Sequence, residues 1–105
     1  FQYIYTSALT SLEGQWVNFV GTYDGRGGNT AINGLKIYIN GVQQSITTET
    51  YDTYVAMENT TLDLHVGRLN NGYANGKIAI IQLYKKELSD SEVLQNYNAL
   101  KDRFI

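Results

Sequence analysis

Residues Gly34 to Val42, read as GLKIYINGV, set an alternating apolar strand directly against an Asn40-Gly41 pair. Asn and Gly tolerate the positive φ angles that both central positions of a two-residue type I′ turn require, and the twist of that turn matches its flanking strands. The stretch therefore predicts a β-hairpin. Successive strand residues point to opposite faces, so Leu35, Ile37 and Ile39 share one face and Lys36 and Tyr38 the other, which reads as one buried face and one wet face. A sheet protein follows, with function placed on its rim loops or on an exposed face.

At 105 residues the chain is long enough for one domain. It is 43% hydrophobic and only 17% charged, with nine Tyr and ten Gly, a balance that suits a β protein better than a helical bundle. The formal net charge is −2, the isoelectric point is about 5.2, and the Lys and Arg residues are scattered. Nothing here forms the basic footprint of a nucleic-acid partner. There is no cysteine, so disulfides and thiolate metal sites are excluded, and no apolar run reaches the length of a membrane span. No signal-peptide pattern is present, and membrane insertion is not expected.

Alternation predicts further strands. Phe1, Tyr3 and Tyr5 share a face at the start. From Gln15 to Tyr23, Val17, Phe19, Gly21 and Tyr23 face one way and Trp16, Asn18, Val20 and Thr22 the other, as in a central strand. A glycine-dense loop, Asp24 to Asn29, follows and is expected to be mobile. Val42 to Thr50 reads as a solvated edge strand, and Tyr51 to Thr60 carries no clear pattern. Leu62, Leu64 and Val66 alternate with Asp63 and His65 in a half-buried strand that Gly67 closes. After a loop with Asn71-Gly72 and Asn75-Gly76, the run from Lys77 to Tyr84, KIAIIQLY, is the most apolar and reads as a strand buried on both sides.

The period then changes. Ser89-Asp90-Ser91-Glu92 is a capping box, Leu88 and Val93 stand at staple positions, and Val93, Tyr97, Leu100 and Phe104 recur at helical spacing as a core-facing stripe. Asp90 and Glu92 complement the positive end of that helix, and Lys101 and Arg103 its negative end.

The order WVNFVGTYDG, GLKIYINGV, then LHVGRLNNGYANGKIAIIQLYKKELSDSEVLQNY resembles the concanavalin A-like lectin and glucanase superfamily, in its laminin G-like and pentraxin-like branch. Trp16, Asp24, Gly25, Tyr38, Asn40, Gly41, Gly67, Gly76, Ile78, Tyr84, Leu88, Ser89 and Glu92 carry the resemblance, which covers about Gln15 to Tyr97. It implies an all-β fold: an antiparallel β-sandwich of the lectin-like jelly-roll type with one short C-terminal α-helix. Members are usually longer, so residues 1–105 are expected to form a single lectin-like domain truncated on its N-terminal side. Sheet edges left open by missing strands would favour pairing with another chain, a homo-oligomer that completes the sheets.

Glycosidic chemistry needs two facing carboxylates, and the Glu-x-Asp-x-x-Glu pattern of the superfamily's glucanases is absent. Glu49 and Asp52, three positions apart, would lie on opposite strand faces. His65 is the only histidine, lacks partners for a triad or a zinc site, and reads with Asp63 as a solvated face. No catalysis is expected. Many relatives hold calcium at the rim, and Asp24 with Asn29, or Asp63 with Asn59, could offer oxygens, although turn chemistry explains both loops equally well and is preferred. The Asn59-Thr60-Thr61 acceptor pattern is too common to carry weight.

Carbohydrate recognition needs flat apolar faces and planar polar groups. Asn70, Asn71, Tyr73 and Asn75 supply both in one loop, and Asp24 with Arg26 adds bidentate partners, although tight turns want Asn and Gly in any case. Trp16 is expected as a core anchor in preference to a stacking platform. The sequence thus predicts a non-catalytic module that recognises a carbohydrate or glycosylated surface within a larger extracellular, cell-surface or virion protein. The alternative is an assembly domain that oligomerises through its sheet edges without binding sugar.

Overall fold

The structure, a computed structural model, describes residues 2–50, 54–57, 60–69 and 71–104. Its centre is the expected hairpin. Strand β2 (Phe19–Tyr23) pairs antiparallel with β3 (Leu35–Ile39), and β3 turns through Asn40 and Gly41 into β4 (Val42–Gln43). The turn has φ of 50° at Asn40 and 80° at Gly41, as a type I′ turn requires. The register sets Phe19 opposite Ile39 and Tyr23 opposite Leu35. Strand β1 (Gln2–Tyr5) pairs antiparallel with β5 (Thr47–Thr50), and β6 (Arg68–Leu69) with β7 (Gly72–Tyr73). Among the described residues every pairing is antiparallel, and one C-terminal α-helix follows.

That helix, α1 (Asp90–Leu100), begins as its sequence dictates. The Glu92 N–H donates to Ser89 Oγ at 3.2 Å and the Ser89 N–H donates to Glu92 Oε1 at 3.0 Å, which satisfies two otherwise orphaned donors. The staple residues Leu88 and Val93 are both buried, and they pack on Tyr38 with Val20 alongside. Here the structure corrects the face assignment. Tyr38, placed on the wet face by alternation, is 1% exposed because α1 lies across that face. Ile37 and Ile39 on the opposite face are buried as well.

Four further expectations change. The central strand starts at Phe19 rather than Gln15, since the hairpin turn ends β3 at Ile39 and leaves residues 16–18 no strand to pair with. Asn18 is held instead at the turn, its N–H donating to Asn40 Oδ1 and its carbonyl accepting from the Asn40 N–H. Trp16 is accordingly not a core anchor. It is 49% exposed, with its ring 5.2 Å from that of Phe104. The edge segment Val42 to Thr50 splits between two sheets. Leu62 to Val66 and Lys77 to Tyr84 form no strand, and the apolar residues of both stay exposed. Alternation specifies which side of a strand is apolar, but pairing needs a neighbour, and among the described residues neither segment has one.

Candidate functional site

The loop after β2 is ordered by its own side chains. The Arg26 N–H donates to Asp24 Oδ1 at 3.0 Å and the Arg26 Nε–H donates to Asp24 Oδ2 at 2.8 Å, while a second guanidinium nitrogen stands 2.7 Å from Oδ2. Chelation of one carboxylate by a backbone amide and a guanidinium fixes both planar groups. The hydrogen bonds from Arg26 hold the Asp24 carboxyl below its ordinary range, and the same bond raises Arg26. Gly34 makes room for this arrangement, since a Cβ there would overlap the Asp24 carboxylate. Two further bonds pin the loop expected to be mobile: the Gly27 N–H donates to Tyr23 Oη and the Gly28 N–H to the Val55 carbonyl, each at 2.8 Å. From Gly28 to Gly34 the chain forms a 3-10 helix that buries Ala31 and Ile32.

Tyr23, the residue before Asp24, lines a cleft of about 150 Å³ together with Ala31, Leu35, Tyr54 and Met57. Burial, followed by the neighbouring Tyr23 hydroxyl, pushes the Tyr54 hydroxyl up. The cleft is smaller than the roughly 300–1,000 Å³ pockets that enclose a whole drug-sized ligand, so it offers room for one ring-sized group rather than an engulfed molecule. Sequence reasoning did not find Tyr54 and Met57, because Tyr51 to Thr60 lacks periodicity. Tyr23 could have been found, since it immediately precedes Asp24 at the end of β2.

The second group sits on the β6–β7 hairpin. Tyr73 is 73% exposed, and the Arg68 guanidinium lies over its ring at 5.4 Å, a cation–π contact that follows from the cross-strand pairing of the two residues. Asn71 and Asn75 are exposed at this hairpin, while Asn70 lies outside the described residues. Arg68 is the member that alternation alone could not single out.

Of the candidate metal ligands, Asp24 offers calcium no unengaged carboxylate oxygen. Both Asp24 oxygens are already engaged by Arg26, so a cation there would have to displace a guanidinium. Asp63 is exposed, and Asn59, like Asp52 of the carboxylate pair, lies outside the described residues. Among the described residues no group of three or more His, Cys, Asp or Glu side chains could hold a metal ion. His65 is exposed.

The chain thus combines antiparallel sheets, a capped C-terminal helix and loops that carry planar polar groups near tyrosines. A laminin G-type family model of the concanavalin A-like lectin/glucanases superfamily matches residues 2–94, and the chain belongs to that superfamily. No curated protein and no solved structure matches the chain significantly.

Proposed function

We propose that this chain is a non-catalytic recognition module that binds carbohydrate or a glycosylated surface, within a larger extracellular, cell-surface or virion protein. In this reading its sheets belong to a jelly-roll sandwich and the ligand meets the rim loops. The observation that carries it is the aromatic cleft lined by Tyr23 and Tyr54, with the fixed Asp24–Arg26 pair following Tyr23 directly in the chain. Tyrosine rings offer flat apolar faces to a pyranose, and a guanidinium and carboxylate held in place present planar donors and acceptors to vicinal hydroxyls with little ordering cost. Tyr73 with Arg68, Asn71 and Asn75 forms a second patch of the same chemistry. The Asp24 carboxylate is already paired with Arg26, which suits it to hold a hydroxyl and not to act as a free general acid or base.

A glycan array with and without calcium tests the reading. The expected result is dose-dependent binding that survives chelation, falls at least about tenfold in Arg26→Ala if the cleft is the site, and falls similarly in Asn71→Ala with Tyr73→Ala if the hairpin is. Silence across polysaccharides with folded protein refutes it. A second reading, an assembly domain that binds no sugar, draws support from the exposed apolar run between Ile78 and Tyr84.

A further inference from the structure

The cleft between Tyr23 and Tyr54 presents mostly hydrocarbon, from Ala31, Leu35, Met57 and the two rings. Polar groups at and beside its walls are already engaged with one another. Tyr23 Oη accepts the Gly27 N–H at 2.8 Å, the Val55 carbonyl accepts the Gly28 N–H at 2.8 Å, and the Leu35 N–H donates to the Ile32 carbonyl. The same bonds hold the walls in place. A Cβ on Gly27 would lie 2.8 Å from the Val55 carbonyl oxygen, so the loop after β2 and residues 54–57 meet backbone to backbone.

Size then decides what enters. An apolar cavity of about 150 Å³ takes a group the size of a benzene ring, and this cleft has about that volume. A whole hexose is too large for it, and each hydroxyl pressed against these walls would lose water without gaining a partner. The lone methyl of a deoxy sugar leaves most of the space unfilled and forfeits the contacts that filling would make. An acetamido group lies between these limits. It is planar and stacks on a tyrosine ring, its methyl reaches the apolar walls, and its N–H and carbonyl stay at the open rim, where Met57 is 76% exposed.

We infer that the cleft takes the acetamido group of an N-acetylhexosamine, and that this group decides which sugars the module recognises. The inference rests on the carbohydrate reading and deepens it, by naming the sugar class and the substituent that enters. The lining is uncharged, so neither a carboxylate nor an ammonium on the sugar finds a counter-ion among the lining side chains.

NMR titration of the chain with matched sugars tests it: N-acetylglucosamine against glucose, N-acetylgalactosamine against galactose, and D-fucose as the methyl-only control. One added methylene in a hydrophobic pocket is worth about 10–200-fold, so each acetamido sugar should bind at least about tenfold tighter than its hydroxyl counterpart. Met57→Glu should erase that preference with helical circular dichroism unchanged, since the side chain is exposed and outside the core, and Met57→Leu should keep it. Equal binding of acetamido and hydroxyl sugars overturns the inference while the carbohydrate reading stands, and so does fucose binding as tightly as N-acetylgalactosamine. A preference that persists in Met57→Glu overturns the cleft as its source. No binding of any sugar, there or across a glycan array, overturns the carbohydrate reading and this inference with it.

Discussion

Removing one oxygen atom from the core should expose how the hairpin and the helix are joined. The Tyr38 hydroxyl donates to Asp90 at the start of α1 while its ring packs on Leu88 and Val93. Tyr38→Phe keeps the ring and its burial, so there is no cavity cost, and what is lost is one hydrogen bond to a charged acceptor. Such bonds are worth about 1.5–3 kcal/mol, and because Asp90 is exposed and regains water, the lower end applies. A loss of about 1.5 kcal/mol corresponds to a fall of roughly 6–12 °C in Tm for a domain of this size. The alkaline limb gives an independent signature. Burial, then the bond to Asp90, pushes the Tyr38 pKa from 10.0 up to about 12. The folded state therefore holds this proton more tightly than the unfolded state does, so the stabilisation is complete below pH 10 and disappears as pH rises from 10 to about 12. Urea melts of both proteins between neutral and alkaline pH measure each effect. A Phe variant within about 0.3 kcal/mol of the parent, or one that loses stability above pH 10 with the parent's steepness, refutes the reasoning.

The helix start and the hairpin turn give three more expectations. Ser89→Ala removes the acceptor of the Glu92 N–H and should cost about 1 kcal/mol in a urea melt. Glu92 is held down to about 2 from 4.5, first by Lys86 at 2.6 Å and then by the Ser89 N–H. Its contribution is therefore present above pH 4.5 and lost as pH falls toward 2, and Lys86→Ala should move that acid limb to higher pH in a pH-dependent thermal melt. Gly41→Ala places a Cβ 2.9 Å from Leu94 Cδ1 at a φ of 80°, so a loss of more than about 1 kcal/mol is expected in denaturant. A neutral result would mean that the helix is not seated on the turn.

The parts legible in the sequence were those decided within a few residues. Asn40-Gly41 fixes its turn through φ alone, and Ser89 with Glu92 caps its helix through bonds three residues apart. What failed depended on distant neighbours. Tyr38 alternates onto the face of Lys36, and nothing local announces that a helix beginning 52 positions later will cover it. The run KIAIIQLY advertises a buried strand, yet composition cannot supply the partner that would bury it. At the candidate site, the sequence reads Asp24 and Arg26 as bidentate partners for a ligand, whereas the structure pairs them with each other. Tyr54 and Met57 reach the cleft from a stretch with no periodicity to read.

The bond between Tyr38 and Asp90 also orders events in time. During synthesis the hairpin leaves the ribosome with its turn and strand pairing available from local sequence, but the lid over Tyr38 consists of Leu88 and Val93, which emerge much later. Until then the aromatic centre of the sheet is open to water and to other chains. This face closes only when residues 88–93 have emerged, so a ribosome stalled ahead of Ser89 would display an unsealed, chaperone-recognisable sheet.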